Sequence, residues 1–177
     1  HYNSHFNLGL IFKNLGEYRK AIKCFENVLK FKPDDIKSYN LLGKIFKEIG
    51  EYKKAVSYYK NSIKINSKSL VTLNGILDFF TTIQLSNLNE TNSQSIKELI
   101  LFLFRNNINH NQIFHNAKLL IFFKENKKEV EQIINSDSTL LNNKIIQKVL
   151  KEEIFTLMLQ KCFIRDQFLE KFLTKIR

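Results

Sequence analysis

The residues of this chain that could carry out chemistry are few, and their spacing does not suit catalysis or metal binding. His110 and His115 lie five residues apart without a Cys, Asp or Glu between them. Zinc ligands on a helix are instead placed four residues apart or in CxxC pairs. The acidic pairs Asp34-Asp35 and Glu152-Glu153 consist of adjacent residues. Adjacent side chains on a helix point about 100° apart, so the two carboxylates of a pair cannot share a substrate.

These residues therefore have structural interpretations. We expect a polar loop and helix start around the two histidines, a helix cap at Asp34-Asp35 and a solvated helix face at Glu152-Glu153. The sequence also has no glycine-rich phosphate loop, no GxSxG and no HExxH. It predicts no catalytic residue, no metal site and no cofactor within this segment, and leaves open whether the full-length protein is an enzyme.

The composition favours helices and makes the chain basic. Turns and strands use Gly and Pro heavily, yet the 177 residues include five Gly and one Pro. The formal net charge is +11. Most of the excess lies in residues 1–70, which carry 14 Lys and Arg against six Asp and Glu. No apolar stretch approaches the length of a membrane span, no signal peptide is visible and the two cysteines form no motif. We expect a cytoplasmic protein with no membrane partner.

One stretch of sequence occurs twice, 34 residues apart. The segment that begins at Asn14, NLGEYRKAIKCFENVLKFKPD, returns from Glu48 as EIGEYKKAVSYYKNSIKINSK. Apolar residues recur within each copy at helical spacing, with a break at Gly16 and again at Gly50. Each copy therefore reads as helix, tight turn, helix. Gly9 and Gly43 lie inside the first helices, where Gly costs about 1 kcal/mol relative to Ala, so we expect a neighbouring helix to pass close to them.

This pattern resembles the tetratricopeptide repeat, a 34-residue helix-turn-helix unit. The family's small and large positions match in the first copy at Leu8, Gly9, Phe12, Ala21, Phe25 and Pro33, and in the second at Leu42, Gly43, Phe46, Ala55 and Tyr59. The departures are His5, Ser62 and Ser67. The resemblance implies an all-α fold, a short helix-turn-helix solenoid followed by an irregular helical extension.

The predicted organisation has three parts. Residues 1–84 form the repeat array, in which residues 69–84 are one more helix covering the second repeat, although Gly75 is displaced from the period. Residues 85–95 are polar and aperiodic and read as a loop or linker. Residues 96–177 form the helical extension, with its longest helix predicted over 144–163. His1 is not Met and Arg177 falls inside a helical pattern, so we expect the extension to be truncated and the chain to be a piece of a longer protein.

The resemblance implies a binding surface, because in this family the first helices of the pairs line an inner wall that holds the ligand. Asn side chains both donate and accept hydrogen bonds, which suits an extended peptide, and Lys suits acidic side chains. The residues expected on this wall are Asn3, Asn7, Leu10, Lys13, Lys37, Asn40, Lys44, Lys47, Asn74 and Asp78. We expect a protein-interaction module whose partner is a protein or peptide of acidic character.

Two other interpretations stay open. The last stretch, from Leu157, resembles the helical segment that joins repeat arrays to S-adenosylmethionine-dependent methyltransferase domains in some bacterial proteins. The residues that carry this resemblance are Asp166, Leu169, Glu170, Leu173, Thr174 and Arg177. It implies an appendage of a larger bacterial protein, or part of a transferase whose active site lies beyond residue 177. The charge of +11 suggests nucleic-acid binding, but aromatic residues that read as core are not available for base stacking, so nucleic acid is not the expected partner.

Overall fold

A computed structural model describes residues 2–83, 90–106, 108, 147–148, 150–161, 170 and 173–174. Its described elements are helices, and no strand occurs among these residues, so the predicted all-α class is confirmed. The chain divides into two compact units, His1–Ile83 and Gln84–Arg177. His110, His115 and most of residues 162–177 lie outside the described residues.

The first unit consists of five helices: α1 (Tyr2–Asn14), α2 (Tyr18–Phe31), α3 (Ile36–Glu48), α4 (Tyr52–Ile65) and α5 (Leu70–Thr82). Helices α1 and α2 pack as one pair and α3 and α4 as a second pair. Helix α2 also contacts α3, and α5 packs against both α3 and α4. The array therefore contains the two helix pairs and the additional helix expected from the sequence.

The turn inside each pair has the same backbone geometry in both copies. Gly16 and Gly50 adopt φ values of 75° and 79°, in the left-handed region that favours glycine. The amide of Glu17 donates to the carbonyl of Phe12, and that of Glu51 donates to the carbonyl of Phe46, at 2.9 and 2.8 Å. These bonds satisfy carbonyls at the end of the first helix and close the turn, as the sequence predicts.

The glycines inside the first helices admit an aromatic ring from the second helix of the pair. A Cβ atom on Gly9 would lie 2.8 Å from Cε1 of Phe25, and one on Gly43 would lie 2.8 Å from Cε1 of Tyr59. Both distances are below any real Cβ contact, so the ring and a larger residue exclude each other. The expected close approach is confirmed, and the group that approaches is a side chain.

Gly75 takes part in the same packing, although it is displaced from the 34-residue period. A Cβ atom on Gly75 would lie 3.2 Å from Cε1 of Tyr59 and 3.3 Å from Oδ1 of Asn40. The Tyr59 ring also meets the Phe79 ring edge to face, with centroids 5.7 Å apart. Tyr59 therefore contacts α3 on one side and α5 on the other, which fixes how α5 covers the second repeat.

Polar groups determine where the later helices begin and how the two repeats join. Asp35 caps α3, because its Oδ2 accepts a hydrogen bond from the amide of Ser38 at 2.9 Å. Ser69 caps α5 in the same way. Between the repeats, the hydroxyl of Tyr58 donates to Oε1 of Glu26 at 3.3 Å. Burial, together with the charge and hydrogen bond of Glu26, raises the pKa of Tyr58 to about 12, so this hydroxyl stays protonated at neutral pH.

Equivalent apolar residues on α1 and α3 differ in burial. Leu8 and Ile11 are 42% and 55% exposed, whereas their equivalents 34 residues later, Leu42 and Ile45, are fully buried. The two later residues lie on α3, which α2 covers. Among the described residues no helix covers α1 in the same way. The difference shows that the second repeat buries this part of its apolar surface on the preceding helix pair.

The second unit differs from the predicted extension at both of its described helices. Helix α6 runs from Glu90 to Arg105, so the predicted loop over 85–95 is wrong for residues 90–95. Ser93 and Ser95 are buried in it, and the Ser95 hydroxyl donates to the carbonyl of Thr91, which satisfies the hydroxyl inside the helix. Tertiary packing here outweighs the weak helix propensity of a polar stretch.

Helix α7 begins at Glu153 and ends at Lys161, so one continuous helix over 144–163 is also wrong. Lys151 and Glu152 interrupt the helix, and the carbonyl of Glu152 accepts from the amide of Phe155 at 3.0 Å, which starts the new helix. Glu152 and Glu153 are not merely a solvated face. Lys97 of α6 pairs with Glu152, and Nη2 of Arg105 lies 2.6 Å from Oε1 of Glu153. These ion pairs join α7 to α6.

The glycine contacts predict a graded loss of stability. Gly43→Ala should lower the free energy of unfolding by about 1–3 kcal/mol through overpacking against Tyr59, although Ala is the better helix former. Gly75→Ala should cost less, because its Cβ would meet Tyr59 at 3.2 Å rather than 2.8 Å. Urea unfolding of the two variants measures the order. A larger loss for Gly75→Ala, or a stabilised Gly43→Ala, would show that the ring does not limit the space at α3.

Removing α5 should destroy the cooperative folding of the first unit. A fragment that ends at Ser67 exposes Tyr59 and Ile63 and deprives Asn40 and Ser62 of their partner Thr72 on α5. We expect this fragment to be largely unfolded or aggregated, while a fragment that ends at Ile83 melts cooperatively. Circular dichroism melts of the two fragments make the comparison. Equal melting would mean that α5 does not cover the second repeat.

Candidate functional site

The ten residues expected on the inner wall lie on three helices of the first unit, α1, α3 and α5. We call this set the predicted binding face. Its exposed members are Asn3, Asn7, Lys37, Asn74 and Asp78. Its half-buried members are Leu10, Lys13, Lys44 and Lys47, and its buried member is Asn40. Nine of the ten side chains are therefore at least partly accessible, as a binding face requires.

A direct contact joins the α3 and α5 parts of the face. Nζ of Lys47 lies 2.9 Å from Oδ2 of Asp78, which places these two predicted residues against each other. The α1 members are different. Within the described part of the chain, no side-chain hydrogen bond or ion pair links Asn3, Asn7 or Lys13 to the other members. The structure thus brings the α3 and α5 residues together and leaves the α1 residues as separate exposed groups.

Asn40 does not line an open wall, which corrects the expectation from the sequence. Its side chain is 3% exposed and points into the junction of α3, α4 and α5. Nδ2 of Asn40 lies 3.2 Å from Oγ of Ser62 and 3.0 Å from Oγ1 of Thr72. The same nitrogen donates to the carbonyl of Ile36 at 2.9 Å. That carbonyl can only accept, so it fixes which end of the amide carries the hydrogens.

The buried polar cluster consists of Asn40, Ser62 and Thr72, and it holds three helices together. The hydroxyls of Ser62 and Thr72 lie 2.7 Å apart and bond to each other, and both lie within reach of the Asn40 amide hydrogen that Ile36 does not use. A buried polar group needs such partners, because leaving it unpaired costs about 1–3 kcal/mol. The sequence carried one sign of the cluster, Ser62 at a position where the repeat pattern departs from its usual residue. Thr72 gave no signal of its own.

The lysines of the face differ in whether they form an ion pair. Lys47 is half-buried and has two acidic neighbours, Asp78 at 2.9 Å and Glu48 at 3.4 Å. Burial by itself would lower the pKa of Lys47, but the hydrogen bonds and charges of Asp78 and Glu48 outweigh burial and raise the pKa. In contrast, Lys13, Lys37 and Lys44 have no carboxylate within 4 Å among the described residues.

This arrangement can bind anions and polar backbone groups, and it offers little else. No group of three His, Cys, Asp or Glu side chains within the described ranges could hold a metal ion. None of the described helices is long and apolar enough to cross a membrane. What the face provides is two unpaired ammonium groups on α3, a third on α1, and exposed amides on α1 and α5. These are groups that recognise carboxylates and extended peptide backbone.

Comparison with known proteins identifies the repeated part of the chain. A family model described as Tetratricopeptide repeat matches residues 2–35, and a second model with the same description matches residues 36–69. The match boundary at residue 35 coincides with the cap of α3. A search of curated proteins found no match to the chain. The methyltransferase-linked resemblance of the last residues stays a prediction, and of the residues that carry it the structure describes Glu170, Leu173 and Thr174.

The geometry agrees with these matches, because each matched range is one helix pair closed by a left-handed glycine. Residues 2–69 therefore match two consecutive tetratricopeptide repeats in sequence and in backbone geometry, and repeats of this kind support a role in protein–protein interaction.

Proposed function

We propose that the predicted binding face holds an extended, acidic segment of a partner protein. The observation that carries the proposal is the state of the α3 lysines. Lys37 and Lys44 have no carboxylate within 4 Å among the described residues, whereas Lys47 on the same helix is paired. An ammonium group that no side chain of the array neutralises is available to a carboxylate of the partner.

The neighbouring groups suit the backbone of such a segment. Asn3, Asn7 and Asn74 are exposed and have amides that both donate and accept hydrogen bonds. Lys13 adds a further unpaired cation on α1. Each exposed Lys–carboxylate pair contributes about 0–1 kcal/mol, so the affinity should be modest and should fall as salt rises.

Nucleic acid is the alternative partner for a basic face, and the packing of the aromatic residues argues against it. Single-stranded nucleic acids bind by stacking bases on exposed aromatic rings. The rings of Phe25, Phe46, Tyr59 and Phe79 are buried between the helices of the array, and the exposed rings of Tyr2 and Phe31 do not belong to the predicted binding face. No aromatic residue belongs to the predicted binding face, so the face lacks a platform for bases.

We further propose that this module is an appendage of a larger cytoplasmic protein of bacterial origin. The support is the resemblance of the segment from Leu157 to linkers in bacterial proteins. The alternative is that the larger protein is an S-adenosylmethionine-dependent methyltransferase whose active site lies beyond Arg177. The sequence that follows Arg177 tests this alternative, because a strand followed by a glycine-rich turn would be required there.

The acidic-partner proposal predicts that the unpaired lysines determine affinity. A fluorescein-labelled peptide of alternating Glu and Ser should bind the full chain, and the matching Gln–Ser peptide should bind less tightly. Lys37→Ala/Lys44→Ala should weaken binding of the Glu–Ser peptide by about fivefold, because each lost pair is worth up to about 1 kcal/mol. Fluorescence anisotropy at low and moderate salt measures both the affinity and its salt dependence.

The control variant Lys53→Ala/Lys64→Ala removes the same charge from exposed positions on α4. It should change the affinity by less than twofold. If it weakens binding as much as the α3 variant, the effect is one of net charge and the proposed face is wrong. If the α3 variant instead loses binding to a labelled oligouridine, while the Glu–Ser peptide does not bind the wild type, nucleic acid replaces the acidic peptide as the partner.

A further inference from the structure

We propose that Asp78 is a specificity-determining residue of the binding face, acting as an internal competitor that occupies Lys47 and keeps it from the ligand. This inference rests on the proposed function, since it concerns the affinity of the same face for acidic partners. It goes further by assigning different tasks to the three lysines of α3. Two are open to the ligand, and the third is closed by the protein's own carboxylate.

The contact between the two residues is between helices and well formed. Oδ2 of Asp78 accepts a hydrogen bond from Nζ of Lys47 at 2.9 Å, across the packed pair α3 and α5. The Lys47 side chain is 10% exposed and the Asp78 side chain 46% exposed. A ligand that approaches from the solvent therefore contacts the carboxylate of Asp78 before it can reach the ammonium group of Lys47.

The position of Asp78 is the one that a ligand carboxylate would take. Lys47 lies one helical turn from Lys44 on α3, so the two side chains project from the same side of the helix. An acidic residue that binds Lys44 could reach Lys47 with its neighbour, were Asp78 not bound there. Glu48 also lies near Lys47, but it belongs to the same helix and is at 3.4 Å, so the cross-helix partner is the closer one.

Removing the Asp78 carboxylate should leave the ammonium group of Lys47 without its closest anionic partner. Burial by itself lowers the pKa of Lys47, and the hydrogen bond and charge of Asp78 offset burial more strongly than Glu48 does. An acidic ligand would then supply the missing carboxylate and gain a contact that it does not make in the wild type. The replacement Asp78→Asn keeps the shape of the side chain. The backbone carbonyl of Asp78, which accepts from the hydroxyls of Thr81 and Thr82, is unaffected.

The arrangement of charges on α3 and α5 determines which partners bind the face more tightly. In the wild type, an acidic segment gains from Lys37 and Lys44 on α3 and then passes α5, where it meets the exposed carboxylate of Asp78. Packed helix axes lie about 8–10 Å apart and an extended chain rises about 3.3 Å per residue, so α5 is reached about three residues further along. The partner favoured by this arrangement is acidic over α3 and uncharged or basic about three residues away.

The test is the affinity of the full chain for a fluorescein-labelled decaglutamate peptide, which is acidic along its whole length. Asp78→Asn should tighten binding about two- to fivefold, the range expected for one additional exposed ion pair. In the double variant Asp78→Asn/Lys47→Ala this gain should disappear, because the proposed competition acts through Lys47. Far-ultraviolet circular dichroism checks that each variant retains the helical content of the wild type.

The matched control is Glu51→Gln, which changes the net charge by the same amount at the α3–α4 turn, where Glu51 pairs with Lys54 at 3.5 Å. It should leave the affinity unchanged within about 1.5-fold, because Glu51 is exposed, where charges are screened by salt, and its partner Lys54 does not belong to the predicted binding face. An equal gain in Glu51→Gln, no gain in Asp78→Asn, or a gain that survives removal of Lys47 would each overturn the inference. None of these outcomes affects the test of Lys37 and Lys44, so failure here and failure of the proposed function are distinguishable.

Discussion

The structure of the first unit depends on the close packing of one aromatic ring against glycine. Tyr59 of α4 lies over Gly43 of α3 so closely that a Cβ atom there would be 2.8 Å from the ring. The same ring approaches Gly75 of α5 and meets Phe79 edge to face. Three helices are therefore positioned by contacts of a single buried side chain, and the first repeat uses Phe25 and Gly9 in the same way. A larger residue at either glycine would have to displace the aromatic ring that packs against it.

The binding face inherits its shape from this packing. Because α5 is held against α3, Thr72 lies within hydrogen-bond distance of Asn40, and Asp78 lies within reach of Lys47. The first of these contacts is buried and holds the helices, while the second is partly solvated and adjusts the charge of the face. The lysines that remain unpaired, Lys37 and Lys44, are on the helix that both contacts constrain. A rigid face loses little conformational entropy when a ligand binds, which favours recognition by a few modest charge contacts.

Sequence reasoning predicts the features that depend on short spacing. The tight turns at Gly16 and Gly50, the cap at Asp35 and the helix-turn-helix order of both repeats all follow from residues close together in the chain. Sequence reasoning fails where the environment of a residue depends on partners that are far away in the chain. Asn40 has the same residue type as the exposed amides of the face, and its burial comes from Ser62 and Thr72 on two other helices. Likewise, Glu152 and Glu153 resemble solvated acidic residues, and their cations lie on α6, about 50 residues earlier in the chain.

A double-mutant cycle between Gly43→Ala and Tyr59→Leu tests the central contact most directly, with the free energy of unfolding measured by urea denaturation. If the ring excludes a Cβ atom at position 43, Gly43→Ala should be nearly neutral or stabilising once Tyr59 is Leu, because Leu leaves room and Ala favours the helix. The two substitutions should then be coupled by about 1–3 kcal/mol. Additive effects, within about 0.5 kcal/mol, would contradict the account, since they would mean that α3 and the ring do not limit each other.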